Sequence, residues 1–393
     1  MEAPSTLYSP LSSLPLYSSR MSAEHHSIWT HGQSLNLPAL TREQHADVCV
    51  VGLGGSGLAC IHALLDAGKS VVGVDASEVA GGAAGSNGGF LLGGLAMFHH
   101  DAVERFGRET ARRIYVKTLA QIDRMAAETP SAVHRTGTLR IAISDAERHD
   151  CERQYACMRD DELPVEWYDG PEGHGLLFPS DAAFDPGLRC RTLARNALGR
   201  GARLFEQSPA LWIAEASVTS ERGSVRARDV VVAVDGKLET LLPELATRVR
   251  TARLQMLATA PLDIRIFPRP VYARWGLDYW QQRADLRVVV GGARDVGGIA
   301  EWTTCTDTSG AVQGALDVLL RDGLHMSAPV THRWAASVGY TASGLPVIDE
   351  VRPRVWAIGG YSGTGNVVGA LCGRAVADLI VRGRSAMADL LRA

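Results

Sequence analysis

Three clusters of glycine and small polar residues hold the spacing that nucleotide chemistry needs. The first, Gly52-Leu53-Gly54-Gly55-Ser56-Gly57, carries a G-x-G-x-x-G pattern between a valine-rich run at 46–51 and a helical pattern through Leu58, Ile61, Leu64 and Leu65. Gly52 permits the tight turn, Gly54 lets the backbone approach a pyrophosphate, and Gly57 lets the helix pack on the strand. Gly55 and Ser56 open the helix, whose N-terminal dipole stabilises a bound diphosphate. A second apolar run, 71–74, ends at Asp75-Ala76, where a carboxylate can accept hydrogen bonds from ribose hydroxyls. The whole stretch has about the 30 residues of a βαβ unit. It predicts a dinucleotide site and, taken alone, does not separate FAD from NAD.

The second cluster, Gly81-Gly82-Ala83-Ala84-Gly85-Ser86-Asn87-Gly88-Gly89-Phe90, shifts the choice toward FAD. Such a loop presents backbone N–H groups and small side chains to a flat ligand, and its place directly after the βαβ unit argues against a flexible linker. The third, Gly359-Gly360-Tyr361-Ser362-Gly363-Thr364-Gly365-Asn366, opens a C-terminal helix whose dipole can face negative charge on a reduced flavin.

In this order the pieces resemble the D-amino-acid oxidase superfamily, and especially its glycine, sarcosine and gamma-glutamylputrescine oxidase-like branch, over residues 47–383. The combination of 82–90 with 334–346 and 359–365 carries most of the resemblance. It implies an α/β protein of two domains: a doubly wound, Rossmann-like FAD-binding domain and a substrate domain with a mixed or antiparallel sheet. It implies noncovalent FAD, with Ala84, Ser86, Asn87, Gly88 and Gly89 beside the flavin and Gly363, Thr364, Gly365 and Asn366 at its pyrimidine end. Gly82, Ala210, Ala233 and Gly360 complete the expected cofactor set. The implied reaction removes a hydride from a carbon bearing nitrogen in a small amine or amino-acid-like substrate, with oxygen reoxidising the flavin to give hydrogen peroxide. A dehydrogenase or tailoring enzyme for a specialised biosynthetic intermediate, and a flavin-binding protein without turnover, are the alternatives.

Departures from the family pattern bear on the substrate. Glycine-oxidase-like members place a carboxylate-binding arginine shortly after the tryptophan matching Trp334, whereas this chain reads Ala335-Ala336-Ser337-Val338. Val338 also stands where sarcosine-oxidase-like members tether flavin through cysteine, and Asn87-Gly88 replace their paired histidines. Tyr272, Tyr279 and Trp334 are candidate walls of the substrate cavity, weighed against ordinary aromatic core. Arg294 is a candidate replacement for the missing clamp, weighed against a surface or interdomain ion pair. His99 and His100, beside Asp101, are read as packing or capping groups before proton carriers.

Composition narrows the rest. At 393 residues, with 46% hydrophobic and 21% charged residues, the chain suits two packed domains. A net charge of −3 without basic runs speaks against nucleic acid as a partner. Seven scattered cysteines without a C-x-x-C pair predict neither disulfides nor a metal site, and fit a cytoplasmic protein. Apolar runs are strand-sized, far short of the roughly 20 residues of a membrane helix. Residues 1–28 read as a disordered extension. The FAD-binding domain is expected to be discontinuous, from 46–130, 171–245 and 340–393, with 131–170 and 246–339 forming the substrate domain. Apolar spacing predicts one long amphipathic helix over 101–128.

Overall fold

The computed structural model describes residues 26–392. The valine-rich strand Gln44–Val51 lies at the middle of a parallel sheet, flanked by Val71–Val74 and Ser224–Val232, with Arg203–Phe205 and Val355–Gly359 outside them. Alternation along the central strand explains its burial. Val48 and Val50 face a core built with the helices Gly55–Asp66, Pro186–Gly199 and Val368–Arg382, while Cys49 and Val51 face a second core on the other side. The second core is closed by Ile213 and Val218 of the hairpin Trp212–Ala214/Ser217–Thr219, which continues the same sheet antiparallel to the start of Ser224–Val232, and by Leu238, Leu242 and Leu245. Both faces of this parallel sheet are therefore closed to water, the doubly wound arrangement that the alternation of strand and helix predicts.

An eight-stranded mixed sheet makes the other half. Its strands run in the order Val330–Thr341, Val249–Pro261, Arg287–Gly291, Asp278–Gln282, Val271–Ala273, Thr138–Ala142, Gly173–Phe178 and Glu166–Gly170. All neighbours are antiparallel except Val271–Ala273 with Thr138–Ala142, which pair parallel. A small third sheet, Phe90–Leu91, Ala182–Phe184 and Val133–His134, lies between the halves of the chain order. Among the described residues no helix is long and apolar enough to cross a membrane.

Three sequence expectations change. The stretch 171–245 is not all of one lobe, because Gly173–Phe178 pairs with Thr138–Ala142 and Glu166–Gly170 in the mixed sheet. Its short GHGLLF run carries no pattern that separates the two sheets. The helix expected over 101–128 is two, His99–Phe106 and Arg108–Glu128, broken where Gly107 takes φ +80. The extension expected over 1–28 does not hold for residues 26–28, which the structure describes. Ser27 is buried and its hydroxyl donates to the Gly85 carbonyl at 2.6 Å, so the chain is already anchored there; residues 1–25 lie outside the described residues.

Candidate active site

A continuous cavity of about 1240 Å³ runs from the first glycine turn to the mixed sheet. It exceeds the roughly 300–1,000 Å³ of a pocket for one drug-sized ligand. At its nucleotide end Gly52 takes φ +105, and a Cβ there would lie 2.5 Å from the Ala233 carbonyl. Gly57 faces away from the cavity and against the turn, where a Cβ would sit 1.9 Å from the Gly52 carbonyl. These contacts bring helix Gly55–Asp66 down on the strand end, so Gly54, Gly55 and Ser56 line the cavity. Asp75 closes this end. Its carboxylate accepts the N–H groups of Leu53 at 2.7 Å and Ser77 at 2.9 Å. Burial pushes its pKa above the usual range, against those hydrogen bonds. Ala76, Gly82, Ala210 and Ala233 also line the cavity.

The second glycine cluster is pinned by side chains from distant elements. Trp334 donates its indole N–H to the Ser86 carbonyl at 2.9 Å, and Trp29 donates to the Asn87 carbonyl at 2.7 Å. Gln281 donates to the carbonyls of Gly88 and Gly89. Asn87 itself bonds back to Ala83 and Ala84, and its Oδ1 accepts Asn366 Nδ2 at 3.1 Å. Asn366 thereby joins this loop to the third cluster, whose Gly363, Thr364 and Gly365 line the same cavity. Gly89 at φ +74 and Gly360 at φ +67 are turn positions outside the lining, and a Cβ at Gly89 would lie 2.7 Å from the Phe184 carbonyl. The residues present fit an elongated dinucleotide with a flat ring system at the Trp334 end.

Beyond that ring position stand the aromatic candidates. Tyr272 and Tyr279 are opposite one another on neighbouring strands, and both line the cavity. Gly291 gives Tyr279 its room, since a Cβ there would be 2.3 Å from the Tyr279 ring. Tyr272 stacks on Phe178 with centroids 6.5 Å apart. Burial raises both phenols well above their ordinary range, so they remain protonated and cannot act as anionic bases. The indole N–H of Trp334 is spent on the loop, which makes this residue a positioning group for Ser86.

Arg294 follows Gly291-Gly292-Ala293, where Gly292 takes φ +138 and Asp278 accepts the Ala293 N–H at 3.0 Å. This turn directs Arg294 to the cavity wall, with its guanidinium over Tyr340 at 4.9 Å and Trp302 at 5.0 Å. The adjacent Asp295 pairs with Arg274, and among the described residues no carboxylate pairs with Arg294. The ion-pair reading is therefore not what the structure contains.

His99 also lines the cavity, but its Nε2 is 2.6 Å from Asp161, and burial holds the ring below its ordinary pKa. With Cys157 these two bring ligand atoms within 4.8 Å of one another, although Arg108 already occupies Asp161 at 2.8 Å. His100 contacts Asp150 at 3.1 Å and stacks on Phe98. Sequence reading missed Trp29, Gln281, Asp181 and Asp235, none of which sits in a motif. Trp29 carried the only local signal, an aromatic directly after the stretch 1–28 read as an extension.

Asp235 accepts the Tyr361 N–H at 3.0 Å beside the third glycine cluster. Burial pushes its carboxyl up to about 6, opposed by the backbone N–H groups of Tyr361, Gly339 and Gly360. An acid whose folded pKa is raised contributes stability that is present at low pH and lost as pH rises through the folded value. Between about pH 4 and pH 6.5 the denaturation midpoint of the wild type should therefore fall relative to Asp235→Asn. Parallel pH profiles for the two proteins would contradict this.

Comparisons with known proteins agree with this geometry. The profile of the DAO family, FAD dependent oxidoreductase, matches residues 47–379. Probable oxidoreductase OrdL of Haemophilus influenzae is 24% identical over 389 residues, covering 90% of this chain and 86% of that protein. Gamma-glutamylputrescine oxidoreductase of Escherichia coli is 26% identical over 371 residues, covering 85% and 83%. The crystal structure of glycine oxidase from Geobacillus kaustophilus superposes with a TM-score of 0.71 at 19% identity, covering 87% of this chain and 96% of that one. A matched family over this span, with the three glycine clusters and the cavity in place, leads to one conclusion: the chain is a member of the DAO family of FAD-dependent oxidoreductases.

Proposed function

We propose that this enzyme oxidises the C–N bond of a small amine or amino-acid-like molecule that carries a carboxylate, with oxygen as the electron acceptor. The observation that supports it most is Arg294, a cavity-lining guanidinium held between two aromatic faces with no carboxylate partner among the described residues. Guanidinium geometry suits bidentate binding of a carboxylate. Its relatives include a gamma-glutamylputrescine oxidoreductase and a glycine oxidase.

In this reading Gly52–Gly57 and Asp75 would hold the adenosine diphosphate part, and Ser86–Gly89 with Gly363–Asn366 would hold the flavin. Bound FAD supplies the hydride acceptor. Arg294 orients the substrate through its carboxylate, Tyr272 and Tyr279 wall the reacting carbon from water, and Trp334 fixes the loop through Ser86. Held in this way, the neutral amine loses its hydride equivalent and the imine product hydrolyses in water. The residues 131–170 and 246–339 would form the substrate lobe, together with Gly173–Phe178.

No thiol stands ready to tether the cofactor. Among the described residues Cys190 is the one cysteine lining the cavity, and burial pushes it up to about 11. Purified protein should be yellow, release FAD into the supernatant on acid precipitation, and bleach anaerobically with a carboxylate-bearing amine, then recover colour with peroxide on admitting oxygen. Colour kept in the pellet would overturn the noncovalent reading. A flavin that no amine bleaches would overturn the oxidation.

A further inference from the structure

Where the cavity meets the mixed-sheet strand Thr138–Ala142, a carboxylate is buried. Asp181 is 2% exposed and lines the cavity. Its Oδ1 accepts the Gly93 N–H at 2.8 Å and its Oδ2 accepts the Thr138 hydroxyl at 2.6 Å. Two neutral donors leave a lone pair on each oxygen and no compensating positive charge. Tyr115, Phe178 and Tyr272 line the cavity beside it.

The nearby cations are spent elsewhere. Arg140, close to Tyr272, bonds Asp150 and Gln154. His99, whose ring meets Tyr115 at 5.5 Å, bonds Asp161. Tyr115 from helix Arg108–Glu128 and Tyr272 from strand Val271–Ala273 are the titratable groups that face Asp181, and both are protonated phenols. A carboxylate without a cation in so dry a place costs several kcal/mol unless it is protonated or a ligand supplies the charge. Burial accordingly pushes Asp181 up to about 7 in the ligand-free cavity, with Thr138 and Gly93 pulling the other way. A buried carboxylate with aromatic side chains in the same cavity wall is the chemistry that recognises an alkylammonium group.

We infer that Asp181, with Tyr115, Phe178 and Tyr272, receives a cationic nitrogen of a substrate whose anionic group is held by Arg294 in the same cavity. Both groups line one cavity, Arg294 over Tyr340 and Asp181 near Tyr272, which pairs across the strands with Tyr279, another lining residue. The substrate class is then an amine with an anionic group at one end and an ammonium at the other. This inference rests on the reading of the cavity as the substrate site, and not on which bond is oxidised.

The test compares the binding of 5-aminopentanoate and pentanoate, followed by flavin absorbance changes in the holoenzyme without turnover. Wild type should bind the amino acid about tenfold or more tightly, the worth of one charge-assisted hydrogen bond. Asp181→Asn should lose that preference and bind pentanoate as before. The preference in wild type should also collapse as pH falls below about 7 and the carboxyl takes a proton, which serves if the variant does not fold. Equal binding of the two ligands by wild type, a preference kept by Asp181→Asn, or one that does not change with pH would overturn the inference. Because neither ligand needs to be oxidised, a failure of the proposed reaction is read separately, by anaerobic bleaching.

Discussion

Gly57→Ala should yield a colourless, destabilised protein. The added Cβ would sit 1.9 Å from the Gly52 carbonyl oxygen and 3.4 Å from the Ala233 Cβ. The first of these is backbone and cannot rotate away, so helix Gly55–Asp66 must lift from the sheet end. The same movement pulls Gly54 and Gly55 off the diphosphate position and releases contacts on the opposite flank, where Gly373 of the C-terminal helix approaches Ser56. Overpacking a core commonly costs about 1–3 kcal/mol, and a backbone clash of this depth belongs at or beyond the upper end. Loss of cofactor binding adds to it, since a ligand that binds only the native state stabilises that state. Denaturant unfolding and the ratio of visible to ultraviolet absorbance measure the two effects. Gly314→Ala is the control, because Gly314 lies within helix Gly310–Val318, outside the cavity lining, and no atom lies within 4 Å of its Cβ position. A yellow Gly57→Ala protein with the stability of wild type would show that the helix end is far softer than its packing indicates.

Arg294→Ala should lower kcat/KM for carboxylate-bearing amines by about 100-fold. A hydrogen-bonded charge pair is worth about 1.5–3 kcal/mol, and a water-excluded site strengthens it. The fold should survive. Arg294 makes two ring contacts, to Trp302 and Tyr340, each worth about 0.5–1 kcal/mol, and removing it leaves no buried carboxylate unpaired. Amines without a carboxylate should be turned over equally by both proteins, and Arg294→Lys should recover part of the loss because its point charge lacks the guanidinium fork. Equal losses on both substrate types would remove Arg294 from carboxylate recognition and leave it a structural role on the two rings.

How much of this is legible in the amino-acid sequence depends on the range of the interactions involved. The nucleotide end is local. Strand, glycine turn, helix and second strand occupy 44–74 without interruption, and the two tightest glycines answer to a neighbour five residues away, Gly57 to Gly52, or to the adjoining strand end, Gly52 to Ala233. Valine alternation on Gln44–Val51 and the spacing of Leu58, Ile61 and Leu64 state the two faces of the sheet directly. Helix ends are less legible, because the apolar period runs straight through Gly107 and only its positive φ breaks the helix.

The substrate end is the opposite case. Asp181, Tyr272 and Arg294 are brought to one cavity by a mixed sheet whose strand order departs widely from chain order. Periodicity records which side of a strand is buried, not which distant strand lies beside it, so neither the Gly173–Phe178 pairing nor the approach of Trp29 to Asn87 is written in any local pattern. The sequence by itself determined the family, the cofactor and the βαβ scaffold, because those depend on short-range spacing and on residue types with few substitutes. Only the tertiary structure decided that Arg294 has no carboxylate partner among the described residues and that Asp181 lies buried without a cation, because charge and burial are properties of what long-range pairing places around a residue.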